Sequence, residues 1–260
     1  MNNAATELKV ATHACKVVSV EPLNQTTFEV ELTSLKGASL GFKAGQYLQL
    51  VLDVNNDGEF QSLSYTIASR FNPKQPTCLK LIIQKTSEFS AKVLGRIHQL
   101  SNGHEQVDIR LAMGNAFLQT SLDLPHVLVA AGSGISKIKC ITEEILQQRP
   151  DANIDIYWSN RSEHDFFLLD QFYDWAVQYK NLNFIPILES AGINWSGKTG
   201  FIYQVIQETL SDLSKAQTYL CGSPNMVYGT IYKLKSLGLK EENCFSDVFE
   251  FAPRDSQVAV

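Results

Sequence analysis

Two glycines separated by a serine follow a short apolar stretch near the middle of the chain. Leu128–Ala131 has the composition of a buried strand, and Gly132, Ser133 and Gly134 lie where that strand passes into a helix. Glycine lets the backbone turn tightly and approach a ligand closely, and the free N–H groups that begin a helix attract a phosphate. The third glycine of the dinucleotide fingerprint is missing, and no acidic residue ends the next strand. The turn alone therefore fits a nucleotide site or a plain strand-to-helix connection.

Two other predicted strands of this half end in residues that could contact a nucleotide. Ser159 and Arg161 follow one of them, and a guanidinium there suits an adenosine ribose or a 2′-phosphate, with a solvated loop arginine as the alternative. Cys221 ends another strand, and ligands of parallel sheets bind at the carboxyl ends of the strands. Its thiol could touch a nicotinamide ring without acting as a nucleophile. The alternative is a buried, small apolar side chain.

The segment Ser62–Ser69 in the first half combines an aromatic residue with hydroxyl groups. Tyr65 and Thr66 are adjacent, and small polar residues flank them. An aromatic side chain can pack on a flat ring while a hydroxyl bonds to its edge. From composition alone, an ordinary amphipathic strand remains the alternative.

The elements that must position these residues differ between the two halves. The first half contains short runs rich in β-branched residues, which predict an antiparallel barrel or sandwich interrupted by one helix over Ser87–Leu100. The predicted strands are Cys15–Val20, Thr27–Leu32, Gln46–Val54, Ser62–Ala68 and Cys78–Lys85. The second half alternates strands and helices from His126 to Phe249, which predicts a parallel sheet covered on both faces. The polar stretch Gln119–Pro125 separates two domains, residues 1–120 and 121–260.

Composition excludes several classes of protein. The chain carries a net charge of −5 without a basic run, so we expect neither nucleic acid nor an anionic membrane as a partner. The polar start Met1–Lys9 lacks an apolar signal core, which predicts a cytoplasmic location. The five cysteines are far apart in sequence, which argues against a zinc or iron–sulfur site and fits reduced thiols.

Taken in order, the motifs resemble the ferredoxin–NADP reductase superfamily, and within it the bacterial NAD(P)H–flavin oxidoreductases that include the reductases serving luciferase. The resemblance extends from about Cys15 to Phe251. The matching segments are Phe42–Leu48 (F-x-A-G-Q-Y), Tyr65–Ser69 ([YF]-[ST]-I-A-S), Gly114–Phe117 (G-x-x-F), Ala131–Ser136 (G-G-T-G-x-S), Trp195–Gly200 (W-x-G-[RK]-T-G), Cys221–Pro224 (C-G-x-P) and Asp247–Phe249. The resemblance implies an N-terminal antiparallel β-barrel that binds flavin and a C-terminal parallel α/β domain that binds NAD(P).

The resemblance also implies roles for individual residues. Thr66 would bond near the reactive nitrogen of the flavin and Cys221 would contact the nicotinamide, so these two are the predicted catalytic residues, while Tyr65 would face the isoalloxazine. The other predicted cofactor-binding residues are Ser64, Ile67, Gly132, Ser133, Gly134, Ser136, Arg161, Gly222, Pro224 and Phe249. The protein would hold the nicotinamide C4 against the flavin N5 with water excluded, and no metal or general base is needed.

Two departures from the family pattern affect this expectation. Leu63 stands where the family has an arginine that pairs with a flavin phosphate, and Ser64 replaces the following proline. A charge-assisted contact is worth about 1.5–3 kcal/mol, or about ten- to a hundredfold in affinity. The flavin, whether riboflavin, FMN or FAD, is therefore predicted to be weakly bound. Ala131 replaces the first loop glycine and narrows the approach to the nucleotide.

Three functions fit these observations. The first is reduction of free riboflavin or FMN by NADH or NADPH, with the reduced flavin passing to a flavin-dependent monooxygenase or to ferric iron. The second is a reductase whose acceptor is a ferric chelate or another protein. The third is a catalytically silent subunit that binds flavin or nucleotide, which Leu63 and Ala131 support. The sequence does not decide between NADH and NADPH.

Overall fold

A computed structural model describes residues 10–103, 105–190 and 195–254. The polar stretch Met1–Lys9 lies outside the described residues. The chain divides into two compact units, Met1–Gly114 and Asn115–Val260. This division falls a few residues before the predicted boundary at 120.

Six antiparallel strands form the sheet of the first unit. They are β1 (Ala11–Pro22), β2 (Thr27–Ser34), β3 (Tyr47–Leu52), β4 (Gln61–Thr66), β5 (Cys78–Gln84) and β6 (Val107–Met113). Their order is β4-β3-β6-β1-β2-β5, and an isolated antiparallel bridge between Ile67 and Leu81 joins the two outer strands. The sheet therefore curves back on itself, which confirms the predicted antiparallel barrel.

One of these strands is absent from the sequence prediction, although its pattern is regular. In β6, Val107, Ile109 and Leu111 are buried while the intervening Asp108 and Arg110 are not. This alternation is the period-two signal of a half-buried strand. The predicted helix is present as α1 (Glu88–Asn102), which begins where the Ser87 hydroxyl accepts the Ser90 N–H and buries Val93, Leu94, Ile97 and Leu100.

The second unit contains a parallel sheet in the order β10-β9-β8-β7-β11-β12, as predicted. Its strands are β7 (His126–Ala131), β8 (Ile154–Asn160), β9 (Leu182–Leu188), β10 (Lys198–Thr199), β11 (Gln217–Cys221) and β12 (Cys244–Phe245). The helices are α2 (Ile135–Gln148), α3 (Leu169–Gln178), α4 (Ile202–Thr209), α5 (Pro224–Leu234) and α6 (Val248–Phe251). Five of the six residues of β7 are buried, because helices cover both faces of such a sheet.

The C-terminal part of this unit differs from the prediction. A strand over Cys244–Phe249 was expected, but β12 ends at Phe245 and the short helix α6 follows. The Ser246 hydroxyl accepts the Val248 N–H at 3.3 Å, and the Asp247 carbonyl accepts the Glu250 N–H at 3.0 Å. These local bonds give the backbone a helical turn in place of a strand ladder.

Two properties of the described parts of the chain bear on function. No helix among them is long and apolar enough to cross a membrane. Within the same ranges, no three histidine, cysteine or acidic side chains cluster in a way that could hold a metal ion.

His126 is a buried polar residue at the start of β7, at the end of the sheet that the glycine turn does not occupy. Its side chain is fully buried, and neither ring nitrogen has a hydrogen-bond partner among the described residues. Burial lowers the pKa of His126 from 6.5 to about 4 because the charged ring would lose its hydration. The folded unit therefore keeps this imidazole neutral at pH values where the unfolded chain protonates it.

Acidification is expected to destabilise the second unit through His126. As the pH falls from 6.5 to 4, His126 binds a proton in the unfolded chain but remains neutral in the folded state. The free energy of unfolding should therefore fall by about 3 kcal/mol. His126→Leu should remove this part of the pH dependence. Urea unfolding followed by tryptophan fluorescence is a suitable measurement, since all three tryptophans lie in this unit. Equal pH slopes in the wild type and the variant would contradict the expectation.

Candidate functional site

The strand order of the second unit reverses beside β7. From β7 the chain moves to β8 and β9 on one side, and it returns to β11 on the other side of β7. In open parallel sheets, ligands bind where the strand order reverses in this way. The glycine turn follows β7, and Cys221 is the last residue of β11. Both segments therefore lie at the switch point, the place between β7 and β11 where the strand order reverses.

The glycine turn is short and continuous with the helix after it. Gly132–Gly134 form a single 3-10 turn, and the Ile135 N–H donates to the carbonyls of Gly132 and Ser133. Gly132 has a φ of +57°, and a Cβ added there would meet nothing within 4 Å. The first N–H groups of such a helical start have no partner within the helix. The turn therefore offers backbone donors beside open space, which suits a phosphate.

Gly134 is required by a close approach between the turn and the end of β11. A Cβ at Gly134 would lie 2.9 Å from the carbonyl carbon of Cys221 and 3.1 Å from its Cβ. A Cβ at Gly222 would lie 3.2 Å from the Cβ of Ala131. Real Cβ atoms essentially never show contacts below 3.0 Å and rarely show one of 3.2 Å, so both glycines let the two strand ends come together. The predicted residues Gly132, Gly134, Cys221 and Gly222 thus form one cluster.

Trp158 in β8 is hydrogen-bonded to the glycine turn. The sequence prediction did not include this tryptophan among the site residues. Its indole N–H donates to the Gly132 carbonyl at 2.9 Å, and its side chain is fully buried. Phe166 and Phe167 pack edge-on against its ring at centroid distances of 4.9 and 5.3 Å. A tryptophan in a strand usually signals packing alone, so its bond to the turn could not be recognised from the sequence.

Cys221 carries a thiol that stays protonated at neutral pH. Burial raises its pKa to about 11, the Lys137 ammonium lowers it to a smaller degree, and the Asp247 carboxylate raises it. A thiol of this kind is a poor nucleophile. The predicted role as a contact residue, without covalent chemistry, is consistent with this environment.

Two buried polar atoms at this edge of the sheet have no hydrogen-bond partner within the described residues. They are Oγ of Ser136, in the first turn of α2, and Nδ2 of Asn160, the last residue of β8. Buried polar groups in proteins are nearly always bonded to something. Unpaired polar atoms near the switch point are consistent with a polar ligand that binds there.

Arg161 lies just beyond β8, and its side chain is 89% exposed. The nearest acidic partner is Glu189, which follows β9 and whose Oε2 lies 4.0 Å from the Arg161 Nε. The Glu189 N–H also donates to the Asn160 carbonyl at 3.3 Å. The sequence prediction did not include Glu189, because only the pairing of β8 with β9 brings it beside Arg161.

Two of the remaining predicted residues of this unit, Pro224 and Phe249, have structural roles. Pro224 is the first residue of α5, and Ser223 caps that helix by accepting the Met226 N–H at 3.3 Å. Phe249 lies in α6, where its ring packs against Tyr228 at a centroid distance of 5.8 Å. Ser133 is exposed on the glycine turn, and Ser159 is buried at the end of β8.

In the first unit, Gln46 organises the end of β4. Its backbone carbonyl accepts the Ile67 N–H at 3.1 Å, its side-chain oxygen accepts the Lys43 N–H at 2.8 Å, and its amide donates to the Gly114 carbonyl at 3.3 Å. The glutamine of the F-x-A-G-Q-Y segment therefore ties three parts of this unit together. Gly45, with a φ of +100°, makes the turn that brings Gln46 there.

Thr66 and Tyr65 are the last residues of β4 and are half-buried. Successive strand residues point to opposite faces, so Tyr65 shares a face with Leu63, and Thr66 shares the other with Ser64. A ligand that touches both Tyr65 and Thr66 must therefore lie at the end of the strand. Burial raises the pKa of Tyr65, so its hydroxyl stays protonated.

The prediction for Ile67, which follows this strand, needs adjustment. The Ile67 side chain is fully buried in the core of the first unit, and its N–H is bonded to Gln46, so only its carbonyl is available to a ligand. Leu63 pairs with the buried Leu50 and brings no charge to the face that Tyr65 occupies. Arg110 contacts Gln49 at 3.3 Å, and Gln49 pairs with Ser64, so this arginine lies on the opposite face.

Comparisons with known proteins agree with this arrangement. Residues 128–231 match the family described as the oxidoreductase NAD-binding domain. The NAD(P)H-flavin reductase of Vibrio harveyi is 28% identical over 91% of this chain and 98% of its own length. The CDP-6-deoxy-L-threo-D-glycero-4-hexulose-3-dehydrase reductase of Yersinia pestis is 27% identical over 92% of this chain and 69% of its own length.

A solved structure shows the same fold. The cytochrome b5 reductase domain of Ulva prolifera nitrate reductase superimposes with a TM-score of 0.77 and 13% identity, covering 91% of this chain and 97% of that one. The two-domain fold and the family resemblance predicted from the motifs are both confirmed by these matches.

Proposed function

The chain is an NAD(P)H-dependent oxidoreductase with an NAD-binding domain at residues 128–231, and from this premise we propose that it reduces free flavin, with riboflavin or FMN as a substrate that it binds and releases. The close approach of Gly134 to Cys221 at the switch point is the main support for nucleotide binding by the second unit. Leu63 supports the flavin half, since this apolar side chain lies on the face of Tyr65 where the resemblance would place an arginine for a flavin phosphate.

Each residue of the second unit has a defined task in this proposal. The N–H groups of Gly132–Gly134 bind the phosphates, and Ser136 and Asn160 supply the polar groups that lack partners. Cys221 contacts the nicotinamide as a neutral thiol. Arg161 and Glu189 lie where the adenosine ribose would be recognised.

In the first unit, the task is to hold a flat ring system. Tyr65 packs against the flavin ring and the Thr66 hydroxyl donates a hydrogen bond to its edge, at the end of β4 that Gln46 fixes. When both substrates are bound, the nicotinamide supplies a hydride and the flavin accepts it. The side chains named here bind the flavin and the nicotinamide nucleotide and orient them, and none of these side chains transfers a proton.

Glu189 favours NADH over NADPH as the hydride donor. A carboxylate near Arg161 repels a 2′-phosphate and partly neutralises the guanidinium that is proposed to bind it. A carboxylate at this kind of position can instead accept hydrogen bonds from the ribose hydroxyls. We therefore include NADH in the proposed reaction.

A second candidate is a reductase that passes electrons to a protein or a ferric chelate. The similarity to the dehydrase reductase of Yersinia pestis favours it, because the name of that relative denotes a protein acceptor. The catalytically silent subunit is a third candidate, supported by Leu63 and Ala131.

A turnover assay distinguishes these functions. Purified protein is mixed with NADH or NADPH and with riboflavin, FMN or a ferric chelate, and nicotinamide absorbance is followed. We expect oxidation of NADH faster than of NADPH, with riboflavin at least as effective as FMN. Faster oxidation with the chelate alone would favour the second candidate, and no turnover with any acceptor would favour the silent subunit. Stoichiometric yellow flavin that survives gel filtration would contradict the release of flavin.

A further inference from the structure

Lys137 is a buried lysine that the proposed reaction does not use. It lies in the first turn of α2, and its side chain is fully buried. Its Nζ is 2.7 Å from Oδ2 of Asp247 and donates to the Ala116 carbonyl at 3.1 Å. Removing an ammonium group from water is costly unless charged and polar partners replace the water. The two partners account for its burial, but they do not explain why a lysine is placed at this position.

The location of the pair suggests a reason. Lys137 lies in the first turn of the helix that follows Gly134, and a Cβ at Gly134 would lie 2.9 Å from the carbonyl carbon of Cys221. The charges of Lys137 and Asp247 therefore lie near the Cys221 thiol, on which they act with opposite signs. The other carboxylate oxygen of Asp247, Oδ1, is buried and has no hydrogen-bond partner among the residues that the structure describes. A fully buried cation and a partly buried anion therefore lie beside the residue that is proposed to touch the nicotinamide.

A nicotinamide ring changes its charge in the reaction. It is neutral in the reduced nucleotide and carries a positive charge in the oxidised one. A carboxylate nearby stabilises the oxidised ring, and an ammonium group nearby destabilises it. When both are present at similar distance, their effects largely cancel.

We propose that Lys137 and Asp247 form a charge-balancing pair, in which Lys137 offsets the attraction of Asp247 for the oxidised nicotinamide so that the product is released as readily as the substrate binds. Lys137 is a positioning residue in this scheme. It does not touch the nucleotide, and it acts through its ion pair with Asp247 and through its charge near the nicotinamide. The inference rests on the proposed contact between Cys221 and the nicotinamide. The ion pair would thus set the ratio of the affinities for the oxidised and the reduced nucleotide.

The other titratable groups around the pair do not disturb this balance. Cys221, at the end of β11, stays neutral below its pKa of about 11. Glu250, in α6, accepts the Asn115 N–H at 2.8 Å and is exposed to water. Lys139, the next cation along α2, pairs with Glu143 at 2.6 Å.

Opposite single substitutions test the proposal. Dissociation constants for NAD+ and NADH are measured at neutral pH with Lys137→Met, Asp247→Asn and the matched control Lys139→Met. Lys137→Met should strengthen NAD+ binding relative to NADH by about tenfold, and Asp247→Asn should weaken it by a similar factor. Lys139→Met, which breaks a nearly buried ion pair on the same helix, should leave the ratio unchanged.

A purely structural role gives a different result. It would weaken both nucleotides together in both variants and leave their ratio at the wild-type value, which would overturn the proposal. If Lys137→Met does not fold, Lys137→Gln makes the same test. The double variant Lys137→Met/Asp247→Leu should return the ratio to within about twofold of the wild type, because both charges are then absent. If the wild-type protein binds neither nucleotide, the proposed function itself fails.

Discussion

Gly134→Ala is expected to lower kcat/KM for the nicotinamide nucleotide about a hundredfold while leaving flavin binding intact. The added Cβ would lie 2.9 Å from the Cys221 carbonyl carbon, so either the glycine turn or the end of β11 must move. A displacement of about 1 Å is enough to cost that much in a reaction that depends on orientation. The flavin segment belongs to the other unit and does not contain this contact.

Gly229→Ala is the matched control for this substitution. Gly229 lies in α5 of the same unit, and a Cβ there would meet nothing within 4 Å. Alanine should raise stability by about 1 kcal/mol through its higher helix propensity, with no loss of turnover. Overpacking at Gly134 should instead cost about 1–3 kcal/mol of unfolding free energy. Wild-type kcat/KM in a folded Gly134→Ala protein would show that the nucleotide does not bind at this turn.

Leu63→Arg is expected to tighten FMN binding by about ten- to a hundredfold and to leave riboflavin binding unchanged. The new guanidinium would lie on the face of β4 that carries Tyr65, where the wild-type chain has an apolar side chain. Its aliphatic part can cover the neighbouring Leu50 while its charged end reaches water and the phosphate. Riboflavin has no phosphate and cannot gain from the added charge.

The measurement is a fluorescence titration of both flavins against the wild type, Leu63→Arg and the uncharged control Leu63→Met. A gain for FMN alone is the expected result, and the variant should then retain yellow flavin through gel filtration. Equal changes for riboflavin and FMN would mean that the side chain acts on the ring and not on the phosphate. If neither dissociation constant changes in Leu63→Arg, Leu63 is not the reason for weak flavin binding.

Much of the architecture was predictable because local patterns report it directly. Runs of β-branched and apolar residues between turn residues indicate the strands of the first half, and the apolar run Val127–Ala131 in β7 indicates a strand covered on both faces. The end of the chain was predicted less well. Ser246 and Asp247 bond to nearby backbone groups there and turn the segment into α6, a competition that β-propensity does not register.

The sequence indicated candidate site residues only where one segment contains the whole signal. The glycine turn, Cys221–Pro224 and Tyr65–Thr66 are such segments, because their residue types and spacing limit what the backbone can do there. Gln46 was recognised as part of a motif, but its three hydrogen bonds to distant parts of the first unit were not.

The sequence by itself determined the two kinds of sheet, the position of the glycine turn and the absence of a charge at Leu63. These are properties of single segments, and the chemistry of each segment constrains them. The tertiary structure alone decided that Gly134 contacts Cys221, that Trp158 bonds to Gly132, and that Glu189 lies beside Arg161. It also paired Lys137 with Asp247, which are far apart in the chain. Such contacts arise from strand order and helix packing, which depend on the whole unit reaching its lowest free energy and leave no local mark in the sequence.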